Sequence, residues 1–377
     1  GAGIIGVCTA YYLTRHPKYS PDKYKITVIE ATRPAGGASG KAGGLLATWA
    51  FPQQIVPLSF KLHEELAAEY NGEEEWGYRH VNTVSITGDF RSDSKSCSDI
   101  PADLDWIRPE LVESVSPIGG ENSTAQVHPL KFTLFMLRRA QEAGVELIIG
   151  QVHDFIYDRA GSIRGVRYSS RDAQDTSIGK TIDFAADEVV ITAGPWVSRL
   201  IPTCPISGLR AHSITITPTR PVSAYALFTE IKDRSKIVCP EIYARKDEVY
   251  VCGEGDNFVG LPDTTDNVSV SKEKCDELYK YASALSEEMG GGRLNKRQAC
   301  YLPVVDLPSS SGPLIGQTNV KHLWMAAGHS CWGINNAPGT GKLMSELLID
   351  GKATSASLRG LDPKKHFAVM PKNQSSR

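Results

Sequence analysis

The sequence predicts an α/β chain (α+β in layout). A Rossmann-type dinucleotide-binding domain is interrupted by a second, mostly antiparallel sheet domain. Three observations predict it. The chain opens on Gly1-Ala2-Gly3-Ile4-Ile5-Gly6, a G-x-G-x-x-G run leading into an apolar helix. A β-branched segment, Lys25 to Glu30, follows and ends on an acid. Residues 206 to 305 then change to short strands separated by turn signals.

The glycine run is weak evidence alone. Two glycines let the backbone turn tightly and approach a pyrophosphate, and the third lets a helix pack close to a strand. Glu30 at the end of a parallel strand is placed to accept hydrogen bonds from a ribose diol, although a surface strand also carries such a residue. The fold needs a strand before the turn, and the numbering starts on the turn itself, so residues preceding Gly1 are expected.

A chain of 377 residues has room for two domains. Its formal net charge of -2 gives no reason to expect nucleic acid or an acidic membrane as main partner. No run of about 18 apolar residues predicts an integral membrane segment. The eight cysteines, at 8, 97, 204, 239, 252, 275, 300 and 331, show no C-x-x-C pair. They read as free thiols, and no metal site is expected.

A second glycine-rich stretch, Arg33 to Leu46, follows the ribose acid, with Ser39 and Lys41 as its polar points. Small residues ahead of Leu45 and Leu46 suggest backbone pressed against a flat ligand, which points to a flavin rather than a nicotinamide. Helices are predicted over 58–70, 128–143 and 272–289, and an exposed loop over 88–104. Strands are predicted over 79–87, 145–150, 155–157, 165–168 and 187–192. Within the sheet domain they are predicted over 213–217, 224–229, 240–243 and 249–253. The last motif is a strand, 322–327, a glycine-rich loop, Gly328 to Gly341, and a helix, 342–349. A P-loop is excluded because Asn336 and Leu343 occupy positions where a phosphate loop needs Gly and Ser or Thr.

These segments, in this order, resemble the FAD-dependent D-amino-acid oxidase family, in particular its glycine and sarcosine oxidase branch. The anchors are the opening glycines with Glu30, the AGGASGKAGGLL segment, VITAGPW at 190–196 and AAGHSCWGINNAPGTGK at 326–342. The resemblance implies FAD as cofactor, held without a covalent bond. It implies that Gly1, Gly3, Ile5 and Gly6 hold the pyrophosphate, and that Glu30 and Ala31 hold the adenosine ribose. Ala38 and Ser39 would contact phosphates, and Gly43, Gly44 and Leu45 would lie along the isoalloxazine. Val152 would meet adenine, Ala193 and Gly194 would close over the cofactor, and Gly328, His329, Trp332, Gly333, Ile334 and Asn335 would surround the flavin pyrimidine. The implied division is an FAD domain of 1–51, 125–205 and 306–360, a substrate domain of 52–124 and 206–305, and a tail over 361–377.

The implied reaction passes a hydride equivalent from the carbon beside an amine to flavin N5, giving an imine. The implied partner is a small amine or amino acid. Glycine oxidases carry an Arg that grips the substrate carboxylate, and Tyr301 falls at that position here. Cys300 lies one residue from the cysteine that binds flavin covalently in sarcosine oxidases. Tyr301 and Lys41 are the polar candidates for contacting substrate or flavin. A packed core tyrosine and a structural lysine are the alternatives. Arg210 and His212 are further candidates for the cavity wall, and His329 is read as shaping its loop. The runner-up is a flavin dehydrogenase with another acceptor. In fine detail the chain is similar to fungal oxidoreductases linked to late-endosome-to-Golgi retrieval. That implies a cytoplasmic protein, associated with late endosomes, with trafficking partners, and a third reading as a flavin-binding adaptor.

Overall fold

The computed structural model describes residues 1–91, 99–171, 179–308, 310 and 312–370. Cys97 and parts of the predicted 88–104 loop and of the C-terminal tail lie outside these residues.

The nucleotide-binding layer is built first. Helix Ile4–Thr14 is apolar on nearly every side and buries Ile4, Val7, Cys8, Ala10 and Tyr11. Strand Thr27–Glu30 runs parallel to Glu146–Tyr157, with Glu30 opposite Ile149. The sequence predicts short strands over 145–150 and 155–157. They form one strand of 12 residues, continued antiparallel by Ile163–Ser170 and Thr181–Ala185. Beside it, Val189–Ile191 runs parallel to Leu323–Ala327, which pairs antiparallel with Leu314–Gln317.

Helix Pro129–Glu142 starts on proline, where the missing N–H costs no helical bond. It buries Phe132, Phe135, Met136 and Ala140, and Gly144 leaves it at φ +96°. Helix Lys272–Leu285 is capped by Ser271, whose hydroxyl accepts the Lys274 amide at 3.2 Å. It is shorter than predicted because Ser286 is extended, and a separate turn, Glu287–Gly290, follows.

The C-terminal helix corrects the sequence reading more strongly. Residues 328–341 read as a loop, yet the helix runs Gly333–Asp350 and includes Pro338. Its glycines are matched to neighbours. A Cβ on Gly341 would stand 2.5 Å from the Cys8 carbonyl oxygen, and one on Gly339 would stand 2.5 Å from Ser59 Oγ. Close packing on helix Ile4–Thr14 and on helix Val56–Tyr70 outweighs poor intrinsic propensity.

The second layer is an eight-stranded sheet. Its order is Arg293–Val305, Ile206–Thr217, Val249–Cys252, Glu241–Ala244, Tyr225–Asp233, Asn82–Asp89 and Val112–Gly119, with Lys236–Val238 paired to Tyr225–Asp233. Every pairing is antiparallel except that of Tyr225–Asp233 with Asn82–Asp89. Lys272–Leu285 covers one face, where Ile214, Ile216, Leu227, Ile242 and Val251 form its core with Leu278 and Leu285. The other face looks toward the nucleotide-binding layer.

Between the layers lies a small sheet of Leu45–Ala47, Thr124–Gln126 and Arg79–His80. Helix Val56–Tyr70 falls after the implied boundary at 52, yet it packs with the nucleotide-binding layer. Ser59 Oγ accepts the Gly339 amide at 2.7 Å, and His63 Nε2 lies 2.9 Å from the Ile334 carbonyl oxygen. Phe60 and Leu66 share a core with Val7, Phe132 and Ile334.

Candidate active site

Three chain turns meet at the C-terminal ends of the parallel strands. The first is the glycine turn. A Cβ on Gly6 would lie 2.0 Å from the Gly1 carbonyl oxygen, and one on Gly1 would lie 2.9 Å from the Thr192 carbonyl oxygen. Only glycines allow that closeness without backbone movement. Gly3 is the N-cap of the following helix, and the Ser39 hydroxyl accepts the Ile4 amide at 2.9 Å. The second glycine-rich stretch is thus tied to the first helix turn.

Glu30 ends its strand beside this turn. One carboxylate oxygen accepts the Ala2 amide at 2.8 Å and the other the Thr32 amide at 3.1 Å. A carboxylate takes about four hydrogen bonds, so acceptor capacity remains for a ribose diol. The third turn follows Leu323–Ala327. Gly328 adopts φ +84°, and buried His329 places Nε2 3.0 Å from the Thr340 hydroxyl. Burial lowers the His329 pKa to about 3, so its ring is neutral and holds the loop to the helix.

One cavity of about 520 Å³ connects these turns. Gly1, Gly3, Ile5, Gly6, Glu30, Ala31, Ala38, Ser39, Val152, Ala193, Gly194, Gly328, His329, Gly333 and Ile334 all line it, as does Tyr301. A strap from the sheet domain crosses beside Gly36 and Gly37. Thr265 Oγ1 lies 2.6 Å from Thr32 Oγ1, the Trp196 indole donates to the Pro262 carbonyl at 2.7 Å, and Arg199 reaches the Leu261 carbonyl at 2.6 Å. Asp263, Thr264 and Thr265 line the cavity, and sequence reasoning missed them. Nothing local marks them, because their partners lie far away in the chain.

The family description "FAD dependent oxidoreductase" matches residues 1–347. The chain belongs to that family. The oxidoreductase TDA3 of Saccharomyces cerevisiae is 43% identical, with 97% of this chain and 94% of that one covered. An oxidoreductase of Schizosaccharomyces pombe is 36% identical, covering 97% of this chain and 96% of its own. Among solved structures, glycine oxidase from Geobacillus kaustophilus superposes with a TM-score of 0.74 at 19% identity, over 97% of each chain. That last likeness is one of fold.

The family's cofactor fits the residues present. The glycine turn lines the cavity with bare backbone, Glu30 keeps acceptor capacity, and the helix beginning at Gly333 presents its first turn to the same cavity. The remaining predicted cofactor residues, Gly43, Gly44, Leu45, Trp332 and Asn335, are not on the cavity wall. A Cβ on Gly43 would strike the Tyr243 ring at 2.4 Å, and Gly44 adopts φ +91°. Leu45 packs with Tyr243 and Tyr250. Asn335 Oδ1 accepts the Ala47 amide at 2.9 Å, and Asn335 Nδ2 donates to Asn336 at 2.9 Å. The amide side chain therefore fixes the stretch after Gly44 to the C-terminal helix. Trp332 stands edge-on to Trp49, with ring centres 5.5 Å apart.

Tyr301 is almost fully buried, and its hydroxyl lies 3.0 Å from the carbonyl oxygens of both Val259 and Gly260. It holds the start of the strap, as a packed tyrosine does. Lys41 Nζ donates to the Ala299 carbonyl at 2.9 Å, and burial lowers its pKa. Arg210 stands opposite Tyr301 in register but is not on the cavity wall. It forms a buried pair with Asp256 at 3.1 Å, and Lys274 joins the same carboxylate. His212 Nε2 accepts the Ser271 amide at 2.9 Å.

The sheet domain is anchored over Gly43 by Arg245, a buried cation with all its reach committed. Its guanidinium donates to the carbonyls of Gly43, at 3.0 Å, and Ala42, and to Glu248 at 2.8 Å. Burial disfavours the charged Glu248 carboxylate, but the His128 hydrogen bond and the Arg245 charge overcome it and hold its pKa at about 2.

Proposed function

We propose that the protein oxidises the carbon–nitrogen bond of a small amine or amino acid to an imine, using FAD. The observation that carries this reading is the cavity that joins Glu30, Ser39, Gly194 and the turn at His329, with Thr265 and Tyr301 of the sheet domain also on its wall. When bound, FAD supplies the two-electron acceptor. The chain's own residues bind and orient. Glu30 offers acceptors to the ribose, and the helix starting at Gly333 places positive partial charge where negative charge would develop. The sheet domain excludes water from the reacting end.

The cofactor is held without a covalent bond in this reading. Cys300 is buried, and burial raises its pKa to about 11, so the thiolate needed for attachment is scarce. None of the described helices is long and apolar enough to cross a membrane.

The test is anaerobic bleaching of the purified yellow protein with amines, amino acids and N-methyl amino acids. Bleaching by one class supports the proposal. A colourless protein that FAD cannot reconstitute sinks it. Peroxide released on admitting air identifies an oxidase, and its absence a dehydrogenase with another acceptor. A bound flavin that no compound reduces favours the adaptor reading, with trafficking partners and late-endosome association.

A further inference from the structure

The sheet face above Gly43 carries a partly buried acid, Glu241. On strand Glu241–Ala244, Glu241 and Tyr243 point to the same side because strand side chains alternate. Register places Cys252 opposite Glu241, Tyr250 opposite Tyr243, and Phe228 opposite Glu241 on the other neighbour. Tyr243 and Tyr250 are the residues a Cβ on Gly43 would strike, so this side faces the second glycine-rich stretch. Burial raises the pKa of Cys331, on the cavity wall, and the Glu241 charge adds to it.

The Glu241 carboxylate is incompletely matched. The Tyr243 hydroxyl and the Cys252 thiol, at 3.7 Å, both donate to Oε2. Among the described residues nothing donates to Oε1, and no Lys, Arg or His pairs with this side chain. Arg245, two residues beyond Tyr243 on the same side, is consumed by Glu248 and two carbonyls. Burial pushes the Glu241 pKa up, and an arriving cation would restore its charge.

Aromatic rings share this side of the sheet, with Tyr243 bonded to the acid and Phe228 opposite it in register. Tyr243 stacks on Tyr250 with centres 5.9 Å apart, Phe228 lies 6.0 Å from Tyr243, and Trp49 lies 6.1 Å from Phe228. Ring faces attract ammonium groups, and a carboxylate among them pairs with the charge directly. A carboxylate ligand would instead meet like charge in a poorly solvated site.

We infer that Glu241, framed by Tyr243, Tyr250, Phe228 and Trp49, binds the ammonium group of the substrate, which is an alkylamine without a carboxylate on the reacting carbon. This rests on the amine-oxidation reading above and narrows it.

The test uses flavin-loaded protein and two probes of similar size, n-butylammonium and butyrate. Binding is read both as a shift in the bound-flavin spectrum and by calorimetry, neither of which needs turnover. Wild-type protein is expected to bind butylammonium and not butyrate. Glu241→Gln is expected to raise the butylammonium Kd at least about tenfold, as removal of a charged partner does, and Glu241→Asp to recover part of it. Tighter binding of butyrate in wild-type protein overturns the inference and makes Lys41 the anchor, and this arm holds even if Glu241→Gln fails to fold. Equal butylammonium affinity in wild type and Glu241→Gln also overturns it. If butylammonium binding depends on Glu241 but no amine bleaches the flavin, the cation site stands and the amine-oxidation reading falls. If amines bleach wild type and Glu241→Gln equally, the reverse holds.

Discussion

The glycine turn of the cavity and the sheet over Gly43 are built from different materials. The end at Gly1, Gly6 and Glu30 is made of backbone, with turns close enough that one added Cβ would lie 2.0 Å from a carbonyl oxygen. The sheet is made of side chains from strands far apart in sequence, held over Gly43 by Arg245 and Glu248. A backbone site tolerates no substitution at its contact glycines but can be recognised from a short motif. A side-chain site can change its chemistry residue by residue while the fold stays the same. The difference explains how a chain can belong to the family and yet commit Tyr301, at a position the sequence offers to a ligand, to hydrogen bonds with the strap.

The sharpest way to break this contrast is at the backbone end. Gly6→Val should leave flavin content below about a tenth of wild type, measured by absorbance after purification, because the new side chain cannot avoid the Gly1 carbonyl. A normally yellow variant would show that the turn is not a backbone contact site. In the sheet, Arg245→Met should cost about 3–5 kcal/mol in denaturant unfolding, since it strands Glu248 and two carbonyls. A loss below about 1 kcal/mol would mean that the sheet is anchored elsewhere.

Glu30→Gln should weaken FAD binding roughly 10–100-fold, the worth of one or two hydrogen bonds to a charged acceptor, with the fold kept. Unchanged FAD affinity in a reconstitution titration would remove Glu30 from the ribose site. The smallest effect is a pH dependence. Glu248 has its pKa depressed from 4.5 to about 2 in the folded chain. Its contribution to stability is therefore full above about pH 4.5 and is lost as pH falls through about 2. Unfolding curves of wild type and Glu248→Gln should converge across that window, and a constant gap would contradict the pairing with His128 and Arg245.

The contrast also governs what could be read in advance. Strand Thr27–Glu30, helix Ile4–Thr14 and the glycine turn that opens the helix are local, so apolar pattern and glycine spacing are enough. The C-terminal helix was misjudged at its start because Gly339 and Gly341 look like loop residues until Ser59 and Cys8 are seen packed against them. The strap at Asp263–Thr265 carries no motif, and its ties to Thr32 and to the Trp196–Arg199 turn exist only after folding.

Sequence by itself determined the α/β nucleotide layer, the antiparallel sheet domain and the two glycine-rich ends of the cofactor cavity. These depend on periodicity and on where a Cβ is forbidden, both properties of short stretches. Tertiary structure alone decided that Tyr301 ties down the strap, that Arg245 is spent on Ala42, Gly43 and Glu248, and that Glu241 keeps an unmatched oxygen among aromatic rings. Whether a side chain is free to meet a ligand depends on which partners the fold has already given it, and strand register sets those partners.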